Sequence, residues 1–69
     1  MIRKGTNVRW KWGSGTATGK VAETFDRDVT RTIDGAEITR HGSADDKALL
    51  IEQEDGQRVL KLESEVTRA

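Results

Sequence analysis

The chain has 69 residues, with 12 lysines and arginines balanced by 12 aspartates and glutamates, one histidine (His41), and neither cysteine nor proline. A domain of this size buries only about 60% of the surface its unfolded chain exposes, so residues 1–69 have room for a single domain with one small core. Disulfide staples are excluded, and a lone histidine without cysteine excludes a Cys/His zinc site. The core must therefore stand on packing, alone or with an oligomer interface.

Hydrophobic residues make up 33% of the chain and charged residues 35%. Disorder usually combines such polarity with high net charge and no patterning. Here the net charge is +0 and the apolar residues are patterned, so a folded chain is expected. No apolar run approaches the ~20 residues of a membrane helix, and none follows the basic start Met1–Gly5. The expectation is a soluble, cytoplasmic protein with no membrane partner. The neutral total is unevenly spread. Arg3, Lys4, Arg9, Lys11 and Lys20 face no acid in residues 1–20, whereas residues 41–69 carry seven acids against four bases. A basic first strand can mark an anionic partner; equally, the two ends of the chain can pair and cancel.

From Asn7 to Trp12 the chain alternates, with Val8, Trp10 and Trp12 on one face and Asn7, Arg9 and Lys11 on the other. Period two with β-branched and aromatic residues predicts a half-buried strand. Gly13-Ser14-Gly15 breaks it with a turn. Thr16 to Phe25 reads as a second strand with Ala17, Gly19, Val21 and Phe25 on one face and Glu23 out of place. Its length and its internal glycine predict a bent strand, of the kind that closes a small barrel. Val29–Ile33 and Ala36–Arg40 flank Asp34-Gly35, a dipeptide suited to a two-residue hairpin turn. His41 to Lys47 reads as an exposed loop. Ala48–Gln53 and Arg58–Leu62 flank a second hairpin turn containing Gly56, and Glu63–Val66 fits one short helical turn. Short strands joined by glycine turns predict an all-β fold, a curled barrel of about five strands.

Lys4–Gly13, Gly19-Lys20-Val21, Thr30–Gly35, Ile38–Arg40 and Leu50–Lys61, taken in order, resemble the bacterial and fungal hypervirulence-associated protein TUDOR domain family. The resemblance spans nearly the whole chain. It implies an SH3-like, Tudor-like barrel and names no ligand. Where relatives tend to carry a proline followed shortly by an aromatic before the fourth main strand, this chain has Lys47 and Leu49.

The chain has three aromatic residues. Trp10, in mid-strand, is expected in the core. Trp12, at the strand end beside a glycine turn where Tudor-type barrels place part of their ligand surface, is a candidate stacking platform. Trp12 with Phe25 alone is too little for an aromatic cage around a methylated amine. Arg9, Lys11 and Arg40 are candidate phosphate contacts beside Trp12. The plain alternative is an ordinary solvated strand face. His41, with Asp45 and Asp46 nearby, lacks any accompanying nucleophile, phosphate-loop or metal-ligand spacing, so it reads as an exposed loop histidine. No cofactor and no enzymatic activity are expected. The reading is a non-catalytic binding module for a protein or other macromolecule. A nucleic-acid-binding domain using the basic first strand is the first alternative. The second is a homo-oligomer in which Trp12 is buried between subunits.

Overall fold

The computed structural model describes residues 2–33 and 35–69. In chain order it forms β1 (Asn7–Trp12), β2 (Gly15–Phe25), β3 (Asp28–Ile33), β4 (Ala36–His41), β5 (Ala48–Glu52), β6 (Arg58–Leu62), a 3-10 turn at Glu63–Glu65 and β7 (Thr67–Arg68). Five strands make one antiparallel sheet in the order β6-β5-β2-β1-β7, and β3 and β4 make a separate hairpin. The architecture is the expected small Tudor-like barrel, with the β3–β4 hairpin inserted between its second and third strands.

β5 explains how the two parts fit. Its sequence Ala48-Leu49-Leu50-Ile51 is buried at every position. A continuous apolar run of this kind belongs to a strand covered on both faces. Leu49 and Ile51 join Ile2, Val8, Trp10 and Val21 in one cluster, against which Ala17, Val59 and Val66 pack. Those on strands come from the same face of β1, β2, β5 and β6, with Ile2 and Val66 added from the flanking segments, and they meet only because the sheet curls into a barrel around them. Ala48 and Leu50 point the other way and join Val29 and Leu60, with Phe25, Ile33, Ile38 and Leu62 packed alongside. The hairpin supplies Val29, Ile33 and Ile38 to this second cluster and so covers the outer face of β5 and β6.

The bend expected in β2 is a β-bulge. Val21 pairs with Ile51, but Glu23 pairs with Leu50, so Ala22 is the extra residue. A bulge reverses the in-out alternation beyond it and bends the strand. Phe25, opposite Ala48, therefore belongs to the second cluster, on the other side of the sheet from Val21. The single apolar face running from Ala17 to Phe25 is thus corrected: Glu23, opposite Leu50, leaves the face of Val21 and shares that of Phe25, where its side chain is exposed. Gly19 has the close-approach role expected of it: a Cβ there would lie 2.6 Å from Ile51 Cγ2 and 2.9 Å from the Glu52 carbonyl oxygen.

The β3–β4 register runs from Asp28↔His41 to Ile33↔Ala36, leaving a two-residue connection whose Gly35 has φ +77°. Asp34, the other residue of the expected Asp-Gly turn, lies outside the described residues. His41 ends β4 rather than opening the loop. That loop is tied down. Asp46 accepts bonds from the Ser64 backbone N–H (2.9 Å) and hydroxyl (2.8 Å), and Lys47 N–H donates to Glu63 Oε1 (3.0 Å). Leu49 is fully buried in the barrel.

Candidate binding site at the Trp12 groove

Trp10 and Trp12 share one face of β1, yet Trp10 is 6% exposed and Trp12 73%. Their partners explain the difference. Trp10 sits opposite Ala17 and over the barrel interior, whereas Trp12 sits opposite Gly15, which offers no side chain to cover it. The Gly13-Ser14 turn, with Gly13 at φ +58°, follows at once and carries the strand end clear of the core. Among the described residues Trp12 is the one large hydrophobic side chain left exposed.

Trp12 stands at the rim of a groove of about 580 Å³. Trp10, Trp12 and Ala17 belong to one wall, and Ile33, Ile38 and Arg40 of the β3–β4 hairpin to the other. Arg58 to Lys61 of β6 lie between them. The charged residues lining it are Arg40, Arg58 and Lys61 against Asp55. Arg40 is held in place, its Nε 3.5 Å from Glu65 Oε1 and its Nη1 donating to the Thr39 carbonyl at 3.0 Å. Arg58 Nε is 3.9 Å from Glu52 Oε2, an exposed and weak pair. A second concavity of about 880 Å³ lies over Gly19 between Lys4, Lys20, Glu52 and Glu54. It mixes charges and contains no aromatic, so the Trp12 groove is the better-furnished of the two.

Of the residues singled out from the sequence, the groove brings together Trp12 and Arg40. Arg9 and Lys11 point from the opposite face of β1, across from Thr18 and Thr16. Lys20, opposite Asn7, shares that outer face. The chain ends do pair, but β7 brings no acid to β1: Thr67 lies opposite Arg9 on this face and Arg68 opposite Val8 on the other, and the acid that meets this face is Glu52, opposite Lys20. Phe25 lies away from the groove, its ring 5.0 Å from the Arg31 guanidinium carbon. His41 Nδ1 is 3.2 Å from Asp28 Oδ1, both side chains exposed at the open end of the hairpin. Among the described residues no cluster of three or more His, Cys, Asp or Glu side chains is placed to hold a metal ion.

Ile38, Arg58 and Lys61 line the groove without having been expected there. Their strands were legible, but the proximity of β6 and β4 to Trp12 depends on the curl of the sheet and the fold-over of the hairpin.

No curated protein and no solved structure matches the chain. A family profile, that of hypervirulence associated proteins TUDOR domain, matches residues 5–66. With a Tudor-like barrel formed and nearly its whole length matched, the chain belongs to the hypervirulence-associated protein TUDOR domain family.

Proposed function

We infer that the domain is a non-catalytic binding module that engages a macromolecular partner through the Trp12 groove. The observation that carries this reading is the exposure of Trp12, 73%, where the other large apolar side chains among the described residues are buried or half-buried. Leaving an indole in water forgoes the stabilisation of burying it, and an amphipathic ring with a free face is the usual anchor of an interface. Tudor-type domains are in general binding modules, which agrees with it. The test is a backbone-amide NMR titration with candidate partners, run on the natural chain and on Trp12→Ala. The reading requires that shifts cluster on Trp12, Ile38 and Lys61 and vanish in the variant; shifts confined elsewhere would sink it.

A second reading rests on a separate surface. Arg9, Lys11 and Lys20 share the outer face of β1 and β2 with Thr16 and Thr18. Such a face suits the phosphates of a nucleic acid. If those three cations each neutralise one phosphate of a duplex, log K falls against log salt with a slope of about −2.7. Titration with mixed short oligonucleotides at low and moderate salt separates the readings, since the shifts would fall on Arg9, Lys11 and Lys20 and fade with salt.

A further inference from the structure

β6 is the outermost strand of the five-stranded sheet, paired with β5 on one side. In an antiparallel ladder, opposed residues alternate between pairs that exchange hydrogen bonds and pairs whose N–H and C=O groups point away. The register of β5 and β6 sets Ile51 against Val59 and Leu50 against Leu60. Just beyond its ends, Gln53 N–H donates to the Gln57 carbonyl (2.8 Å) and Glu63 N–H to the Lys47 carbonyl (2.9 Å). This phase makes Val59 and Lys61 the bonded residues of β6 and turns the backbone of Arg58, Leu60 and Leu62 outward. Leu62 N–H is satisfied by Glu65 Oε1 at 2.9 Å. Among the described residues no hydrogen bond engages the outward N–H or C=O of Arg58 or Leu60.

That free edge lies along the groove, between its two walls. Val59 and Lys61 face the side of Trp12, and Arg58 and Leu60 face the side of Ile38. A strand added to the edge would send alternate side chains to the two walls. Each wall offers an apolar surface and a cation, Trp12 with Lys61 on one and Ile38 with Arg40 and Arg58 on the other. Asp55 is the lone acid in the lining. Lys61 has no ion-pair partner among the described residues. The electrostatic complement is an acidic segment, not a basic one. Leu60 is buried in the free chain, where Ile33 and Ile38 of the hairpin pack against its cluster, so docking there needs the hairpin to give way along β6.

We propose that the partner bound at the Trp12 groove is an extended peptide carrying aspartate or glutamate among apolar residues, which adds to the free edge of β6 through the backbone of Arg58 and Leu60. The proposal rests on the groove being the binding surface and adds the chemistry and conformation of what occupies it. A nucleic acid would instead use the outer face of β1 and β2, and a second copy of the chain would pair β6 with β6.

The test pans a phage-displayed library of random dodecapeptides against the full chain, then follows amide hydrogen exchange with the selected peptide as a free synthetic. Enrichment of acidic, alternating sequences is expected, with affinity falling about tenfold or more in Lys61→Glu and in Trp12→Ala. In the free chain the Leu60 and Arg58 amides should exchange faster than those of Val59 and Lys61, and the peptide should slow them. Peptides whose affinity depends on Trp12 but which leave the Arg58 and Leu60 amides unprotected would overturn strand addition while sparing the groove. Selection of basic peptides, or of none, would overturn the proposal, as would concentration-dependent protection of those amides without peptide.

Discussion

Val21 and Phe25 stand four residues apart in one strand and face opposite sides of the sheet, because Ala22 bulges out between them. The bulge lets β2 contribute to the barrel interior with its first half and to the hairpin cluster with its second. Phe25 then comes to lie beneath Arg31, whose guanidinium carbon is 5.0 Å from the ring centroid. Arg31 also donates from Nη1 to the Thr30 carbonyl at 2.9 Å, which steadies the guanidinium. At an exposed site such a cation–π pair contributes about 0.5–1 kcal/mol. A double-mutant cycle of Phe25→Leu and Arg31→Ala in urea is expected to return a coupling of that size. Additive losses would mean that the two side chains touch without stabilising one another.

Gly42 sits where the end of β2 and the start of β5 converge. A Cβ there would meet the Phe25 carbonyl oxygen at 2.7 Å, the Ala48 nitrogen at 2.8 Å and the Arg27 carbonyl oxygen at 2.9 Å. All three are backbone atoms, so no side chain can rotate away. Gly42→Ala is expected to destabilise the domain by about 1–3 kcal/mol, as overpacking does. The comparison is Gly15→Ala, whose Cβ would meet only the Trp12 carbonyl oxygen at 3.9 Å and which should change stability by less than about 0.5 kcal/mol. Equal thermal midpoints for the two variants would contradict the argument.

The 3-10 turn is fastened to the loop before β5 by Asp46, which takes both the backbone N–H and the hydroxyl of Ser64. The two residues are 18 apart, so the bonds hold together the approach to β5 and the exit from β6. Ser64→Ala removes one of the two bonds and Asp46→Ala removes both. Hydrogen bonds to a charged group contribute about 1.5–3 kcal/mol where solvent is scarce and less where, as here, the groups are exposed. Asp46→Ala is expected to cost about 1 kcal/mol and Ser64→Ala about half of that. Ser64 amide exchange should quicken in Asp46→Ala but not in Ser64→Ala; identical exchange in both would show that the backbone bond does not hold the turn.

The alternation of β1 and the two glycine hairpins were legible because a strand's period and a turn's residue preferences are local properties. The bulge at Ala22 was half-legible. Glu23 out of phase signalled an irregularity, but which residue bulged depended on pairing with a strand almost thirty residues away. β7 left no signal, since Thr67-Arg68 is too short to show a period and is extended because β1 offers it an edge. The site was legible as single residues and not as a set. Trp12 could be picked out by its place beside a glycine turn. The proximity of Arg40, and the separation of Arg9 and Lys11 from it, follow from the curl of the sheet and the fold-over of the hairpin.

The two tryptophans, alike in strand, face and chemistry, should behave as different kinds of residue. Trp10 is packed among Ile2, Val8, Val21, Leu49 and Ile51, and its removal leaves a cavity in a core with few other large side chains. Trp10→Ala is expected to cost about 3–5 kcal/mol, a large share of the roughly 5 kcal/mol at the lower end for small domains. The variant should be largely unfolded or close to it. Trp12→Ala removes a ring that packs against little, and its stability change should stay within about 0.5 kcal/mol. Because Trp10→Ala will be hard to study folded, Trp10→Phe and Trp12→Phe give the cleaner optical test. Fluorescence of the chain retaining Trp12 should be red-shifted and readily quenched by iodide. That of the chain retaining Trp10 should be blue-shifted and shielded until denaturant unfolds it. A blue-shifted, shielded Trp12 at micromolar concentration that becomes quenchable on dilution would place its indole in an interface between copies, so the groove would be occupied by the protein itself. A shielded Trp12 independent of concentration would mean that the strand end folds back onto the barrel and that the groove lacks its anchor.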